Sequence, residues 1–217
     1  MTEAEWNRCT DPQKMLEWLR RNRKVSERKM RLFGLACCRR LPALARTRWS
    51  TELLAAAEEY FDAPDDLRRE EWSRTRRSLD RFDAQVMRPV TCALAMVSCR
   101  LCVEAARYAA DAARLPHCEP VAQARLFRDV FGNPFCPQPL LAPRWLAWND
   151  GVVQRLAAAS YEERALPQGA LDRDRLAVLA DALEEAGCTN EEILSHCRSC
   201  SDHVRGCWLI DLILGKT

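Results

Sequence analysis

Glycine is scarce in this 217-residue chain, and its scarcity excludes several kinds of functional site. Only seven glycines occur, and none lies in a G-x-G-x-x-G or a G-x-x-x-x-G-K pattern. Both patterns need glycine because the backbone must approach a phosphate closely. We therefore expect no nucleotide-hydrolysing site. A G-x-S-x-G nucleophile elbow is missing too, so the sequence favours a protein that is not an enzyme.

Long apolar runs and an export signal are also missing. No stretch approaches the ~18 consecutive apolar residues of a membrane span. The segment Met1–Trp6 has neither the basic nor the apolar region of a secretory signal. We therefore expect a cytoplasmic protein with no membrane partner. Because disulfides are rare in that reducing compartment, the 12 cysteines would be buried apolar residues, metal ligands or redox thiols.

Sustained alternation of apolar and polar residues, which marks a strand, is not found either. Alanine, leucine, arginine and glutamate dominate, and all four favour helix. We predict an all-α fold, a single compact domain over residues 1–217. Its helices, about eight to ten in number, would pack around a central apolar helix at 89–114. Residues 170–217 could form a C-terminal subdomain within it.

Local signals place several helix boundaries within this fold. Capping residues predict helix starts at Thr10–Pro12, Ser26, Asp172 and Thr189, the last with Glu192 as a capping box. Gly187 and Gly215 are expected to end helices, and the final helix is expected over 204–214. Met30, Phe33 and Cys37 recur at helical spacing and are expected to face the core.

Several segments form a distinctive set when taken together. They are Met1–Trp6 with Cys9–Pro12, Arg31–Phe33 with Ala36–Arg40, Phe131–Phe135, Trp145–Gly151 and His203–Trp208. In these segments the chain resembles a group of uncharacterised proteins from bacteria with large, GC-rich genomes. The resemblance covers nearly the whole chain and implies one integrated domain, but it implies no activity and no catalytic residue. Members of that group often carry glycine or proline near position 200, which counts against a required thiol at Cys200.

A cluster of cysteine and histidine lies near the C-terminus of the chain. Its candidate ligands are His196, Cys197, Cys200, His203 and Cys207. Zinc takes four such ligands in a tetrahedron, and the bend between two short helices could gather them. The spacing matches no standard zinc-finger pattern, and Cys207 precedes an apolar run that could draw it into the core. We therefore expect no metal ligand and no cofactor, with structural zinc at these five residues as the alternative.

Basic residues are concentrated at the start of the chain. Residues 1–50 carry 13 basic and 5 acidic side chains, whereas residues 146–217 carry 7 and 12. A helix can align such cations against phosphates, which makes nucleic acid a possible partner. The candidate contacts are Arg21, Arg23, Lys24, Arg28, Lys29 and Arg31. Pairing with the acidic C-terminal third explains the same residues, and no aromatic residues interleave with them for base stacking.

Three non-catalytic functions, and an enzyme of unrecognised type, remain compatible with these features. The favoured one is a non-catalytic helical protein-interaction module with a protein partner. The core is the default place for the seven tryptophans, and any that are exposed would favour protein binding. A nucleic-acid-associated helical protein that uses the basic 20–40 face is the first alternative. A structural zinc-binding helical protein is the second.

Overall fold

The computed structural model describes residues 1–22, 26–40, 48–62, 67, 70, 74 and 119–216. Within these residues the fold is all-α, as predicted, and contains no strand; two isolated β-bridges join Ala165 to Ala170 and Ala170 to Val204. The α-helices are α1 (Glu3–Arg8), α2 (Pro12–Arg21), α3 (Glu27–Arg39), α4 (Arg48–Asp62), α5 (Glu119–Phe131), α6 (Pro143–Ala147), α7 (Val152–Glu162), α8 (Arg173–Glu185), α9 (Glu191–Cys197) and α10 (Trp208–Leu214), with a 3-10 turn at Trp148–Gly151. None of the helices in this part of the chain is both long and apolar enough to span a bilayer.

Most of the predicted helix boundaries are confirmed by the hydrogen bonds at the helix ends. Asp11 caps α2 by accepting from the backbone N–H groups of Gln13 and Lys14. Ser26 and Asp172 cap α3 and α8 in the same way. Gly215 ends α10 in the left-handed conformation, where glycine carries no steric penalty.

Two predicted boundaries are wrong, both near the C-terminus. The residue that caps α9 is Asn190, whose side chain accepts from two backbone N–H groups, and not Thr189. The final helix begins at Trp208 and not at 204. The segment before it is not helical. The His203 carbonyl accepts from the Leu171 N–H at 2.8 Å, and Gly206 has a φ of 96°.

Among the described residues, apolar side chains form two buried clusters. We call the first the N-terminal cluster; it is built from α1, α2, α3 and α5 and includes Trp6, Leu16, Met30, Phe33, Cys37, Phe127 and Val130. We call the second the C-terminal cluster; it extends from Trp145 to Ile213 and includes Val153, Leu179, Ile193, Cys197 and Trp208. The predicted central helix at 89–114 lies outside the described residues.

A buried ionic network ties the basic start of the chain to its acidic end. Arg28 of α3 makes two hydrogen bonds to Asp211 of α10, at 2.7 and 3.0 Å, and also pairs with Asp62 of α4. The Asp62 carboxylate additionally accepts from Arg205 and Lys216. Arg28, near the start of the sequence, therefore pairs with Asp211, near its end.

Candidate metal centre

Asp129 is the carboxylate around which the centre is built. It lies on the buried side of α5, among side chains of the N-terminal cluster, and is 3% exposed. Its Oδ1 lies 2.6 Å from Nδ1 of His203, and its Oδ2 accepts from the Val204 N–H at 2.9 Å. Both oxygens are therefore fixed by the segment that precedes α10.

His203 reaches Asp129 because its backbone is held in place on both sides. Its carbonyl accepts from the Leu171 N–H, and the next residue, Val204, pairs with Ala170. The ring is 1% exposed, and its Nε2 lies 3.0 Å from the Ser199 hydroxyl. Nδ1 faces the carboxylate and Nε2 faces the hydroxyl, so the orientation of the ring is fixed.

His196 and Cys207 complete the centre from the C-terminal side. His196 lies in the last turn of α9, and Cys207 is the residue that precedes α10. His196 Nε2 lies 3.1 Å from Cys207 Sγ and 3.5 Å from Asp129 Oδ1. Its Nδ1 accepts from the indole N–H of Trp208 at 3.1 Å. One ligand atom from each of Asp129, His196, His203 and Cys207 lies within 4.8 Å of the other three.

The surroundings shift the pKa values of Asp129 and Cys207 in opposite directions. Burial disfavours the Asp129 carboxylate, but the hydrogen bonds from His196 and His203 outweigh it and hold its pKa well below the ordinary value. Burial raises the pKa of Cys207 well above its ordinary value, and the charge of Asp129 acts in the same direction. The backbone N–H groups of Leu209 and Ile210 oppose this by favouring the thiolate. Without a cation, Asp129 is therefore charged and Cys207 is a neutral thiol.

Three of the five residues that the sequence offers as alternative zinc ligands lie in this cluster, and its fourth member was not among them. The structure brings His196, His203 and Cys207 together and leaves the other two candidates out. Cys197 points into the C-terminal cluster, where burial raises its pKa to about 12. Cys200 is exposed. The member of the cluster that sequence reasoning missed is Asp129, and its one sequence signal is a carboxylate set among apolar residues of a helix.

Four of the six predicted nucleic-acid contacts lie in the described residues, and their side chains differ in environment. Lys29 is buried and donates to the Val130 carbonyl at 2.9 Å, and the half-buried Arg28 belongs to the ionic network. Arg31 pairs with Glu27 at 2.6 Å and lies over the Phe61 ring. Arg21 is exposed, with Glu17 at 4.0 Å. The remaining two candidates, Arg23 and Lys24, lie outside the described residues.

A surface groove of about 310 Å³ opens beside the centre. His196, the most accessible of the four candidate ligands with 17% of its side chain exposed, lines this groove together with Trp208. The groove also carries polar side chains, namely Asn133, Glu192, Ser195 and Ser199. Solvent and small ions can therefore approach the centre from this side.

Comparison with known proteins adds no functional assignment. No protein-family model, no curated protein and no solved structure matches the chain. What the centre can do is therefore deduced from its own geometry.

Proposed function

We propose that this protein is a non-catalytic, helical zinc-binding protein whose metal centre joins its two apolar clusters. The observation that carries the proposal is the convergence of four ligand atoms, from Asp129, His196, His203 and Cys207, within 4.8 Å of one another. Asp129 belongs to a helix of the N-terminal cluster, whereas His196 and Cys207 belong to the C-terminal side. A cation at this point would cross-link segments that are more than sixty residues apart.

The four donors match the coordination chemistry of zinc. Zinc accepts thiolate, imidazole and carboxylate ligands in a tetrahedron, with metal–ligand distances of ~2.0–2.3 Å. Such distances separate neighbouring ligand atoms by roughly 3.2–3.7 Å, and His196 Nε2 lies 3.1 Å from Cys207 Sγ and 3.5 Å from Asp129 Oδ1. The 2.6 Å between His203 Nδ1 and Asp129 Oδ1 is a hydrogen-bond distance, which a bound cation would have to widen. One thiolate and one carboxylate would neutralise the charge of a divalent cation, so the loaded centre is compatible with burial.

The atoms around these ligands also suit a metal site. With His203 bound through Nδ1, its Nε2–H can donate to the Ser199 hydroxyl, which lies 3.0 Å away. The second oxygen of Asp129 already accepts from the Val204 N–H. Such partners orient the ligands of metal sites and fix the histidine tautomer.

Cys207, His196 and Asp129 do not form a catalytic triad. In a nucleophile–histidine–carboxylate triad the two partners bind opposite nitrogens of the imidazole. Here Cys207 Sγ and Asp129 Oδ1 both face Nε2 of His196, while Nδ1 accepts from Trp208. The thiol is 1% exposed, so a substrate has no direct access to it.

Ser199, His203 and Asp129 do have the hydrogen-bond order of a catalytic triad, with Ser199 Oγ 3.0 Å from His203 Nε2 and Asp129 Oδ1 2.6 Å from His203 Nδ1. The His203 ring is 1% exposed, however, so the groove gives a substrate no access to it. Four protein ligands in a buried centre are typical of structural zinc, because catalytic zinc keeps a position open for water.

Elemental analysis of the untagged protein after reconstitution with zinc sulfate and desalting tests the proposal. We expect about one zinc per chain in the wild type. Cys207→Ser and Asp129→Asn should each retain less than about a tenth of that amount, because each removes a charged ligand. Cys200→Ser is the matched control, since Cys200 is exposed and lies outside the centre, and it should bind like the wild type.

Removal of the metal tests the structural role. At a free zinc concentration about 100 times the dissociation constant, binding stabilises the native state by ~2.7 kcal/mol. For a chain of this size, that corresponds to a rise in Tm of about 5–10 °C over the EDTA-treated protein. Zinc content below about a tenth per chain in the reconstituted wild type, or a Tm that EDTA leaves unchanged, would overturn the proposal.

The protein-interaction and nucleic-acid roles stay predictions. Association with a protein partner is tested by a pull-down from the native cell, with zinc-loaded and EDTA-treated protein compared. Retention on heparin as salt is varied tests the nucleic-acid role. No retention at low salt would exclude that role. Arg21→Gln is the informative variant for that test, because the side chain of Arg21 is 80% exposed.

A further inference from the structure

The indole of Trp208 fixes where the proton of His196 resides. The indole N–H can only donate a hydrogen bond, and it lies 3.1 Å from His196 Nδ1. Nδ1 must therefore be the acceptor, and the neutral imidazole carries its proton on Nε2. That proton points into the centre, toward Cys207 Sγ at 3.1 Å and Asp129 Oδ1 at 3.5 Å.

A metal bound at Nε2 requires the opposite tautomer. A neutral imidazole that binds a cation through Nε2 carries its hydrogen on Nδ1. That hydrogen would face the indole N–H of Trp208, and two donors would then oppose each other 3.1 Å apart. The hydrogen bond seen in the structure and a metal on His196 exclude each other.

We propose that metal binding at this centre breaks the Trp208–His196 hydrogen bond and thereby remodels the adjoining surface groove. The inference rests on the proposed zinc site and describes its regulation. In the metal-free form the indole holds His196 with its proton directed at the other ligands. In the metal-bound form the indole and the imidazole separate. The indole N–H and the Nδ1–H of His196 then donate to other acceptors.

The groove supplies acceptors for the N–H groups released in this way. Trp208 and His196 both line it, together with the Glu192 carboxylate, the Ser195 hydroxyl and the Asn133 amide. The indole cannot retreat the other way, because it packs against the backbone of Gly132, where a Cβ would lie 3.2 Å from Cγ of Trp208. The rearrangement is therefore directed toward the surface, and the shape of the groove follows the occupancy of the centre.

Comparison with His203 explains why metal binding would break the hydrogen bond of Trp208 and not that of Ser199. The second nitrogen of the His203 ring faces the Ser199 hydroxyl at 3.0 Å. A hydroxyl can donate or accept, so it rotates when the tautomer changes and its hydrogen bond survives metal binding. The indole has no such freedom. Ser199 and Trp208 therefore make a matched pair for the test.

Binding of Co²⁺, which reports through its absorption spectrum, separates the two residues. Trp208→Phe removes a hydrogen bond that exists only in the metal-free form, so Co²⁺ should bind the variant about fivefold more tightly, the fold-change that corresponds to ~1 kcal/mol. Ser199→Ala removes a hydrogen bond that both forms make, and its affinity should stay within about twofold of the wild type. A Trp208→Phe variant that folds, as judged by circular dichroism, and binds Co²⁺ no more tightly than the wild type would overturn the inference.

The indole N–H resonance of the wild type gives a second readout that needs no folded variant. In ¹H–¹⁵N spectra, NOE contacts to Gly132 assign the Trp208 resonance, and Trp18 of α2 serves as a reference. We expect the Trp208 resonance to shift, and the shift to be complete at one zinc per chain. The Trp18 resonance should stay in place. An unmoved Trp208 resonance in protein that contains one zinc per chain would overturn the inference and leave the proposed function intact. Reconstituted protein without zinc would instead overturn the proposed function.

Discussion

Replacing Asp211 by Asn tests whether the buried ionic network holds the two ends of the chain together. The Asp211 carboxylate accepts two hydrogen bonds from Arg28 and one from Tyr161, and its side chain is 1% exposed. Removing one member of a buried ion pair costs about 3–5 kcal/mol, because the partner charge stays buried. Asn keeps the volume and one acceptor oxygen, and Arg28 keeps its pair with Asp62. We therefore expect the free energy of unfolding to fall by about 3 kcal/mol, at the lower end of that range.

Urea unfolding at pH 7, followed by circular dichroism, measures this loss, and a fall in Tm of about 6–12 °C should accompany it. Tyr161→Phe is the comparison, since it removes one hydrogen bond to the same carboxylate and the acceptor of the buried Gly206 N–H, and it should cost about 2 kcal/mol. Asp181→Asn breaks an exposed pair with Arg198 and should leave stability unchanged within error. A loss below about 1 kcal/mol for Asp211→Asn would refute the reasoning, because the network would then contribute no more than a surface pair.

Two further predictions concern Asp129 and Gly206. Because the pKa of Asp129 is held below its ordinary value in the folded protein, its contribution to stability is present above about pH 4 and is lost as the pH falls toward the folded pKa. In EDTA, urea unfolding between pH 3 and pH 7 should show a smaller acid-induced loss for Asp129→Asn than for the wild type; parallel curves would contradict this. Gly206→Ala should be less stable than Gly187→Ala, because both glycines have positive φ but only the Cβ at 206 would meet a side chain, Leu32 at 3.1 Å. Equal Tm values for the two variants would show that this contact has no effect.

Helix boundaries could be predicted from the sequence wherever one residue decides them. Asp11 before Pro12 and Ser26 before an apolar stripe each provide a side-chain acceptor for the free N–H groups of a first turn. Thr189 and Asn190 are adjacent and both suit that role, so the local sequence does not choose between them. The start of α10 was misplaced because Val204 fits the apolar periodicity of a helix, whereas its neighbour His203 is held by a backbone hydrogen bond from Leu171.

The candidate centre could be predicted only as far as local spacing reaches. His196, His203 and Cys207 lie within twelve positions of one another, so their proximity follows from the bend between α9 and α10. Cys197 and Cys200 share that spacing but lie outside the centre. Cys197 is buried in the C-terminal cluster, and Cys200 is exposed to solvent. Asp129 comes from a distant helix, and its contact with His203 depends on how the two clusters pack. No pattern in one sequence encodes that packing.

The same limit applies to the basic residues near the start of the chain. Their number and sign predict an electrostatic partner, and the sequence offers nucleic acid and the acidic C-terminal third as alternatives. Arg28 meets Asp211 across 183 positions of sequence, and Lys29 donates to the Val130 carbonyl. Such pairing depends on tertiary packing, which composition does not reveal.

X-ray absorption at the zinc edge of the reconstituted protein tests the central claim most directly, because it counts the ligands by element. Coordination by Asp129, His196, His203 and Cys207 predicts one sulfur at ~2.3 Å and three nitrogen or oxygen ligands at ~2.0–2.2 Å. Two or three sulfurs would contradict this assignment and would place Cys197 or Cys200 at the metal. A shell without sulfur would also contradict it, because Cys207 would then not be a ligand.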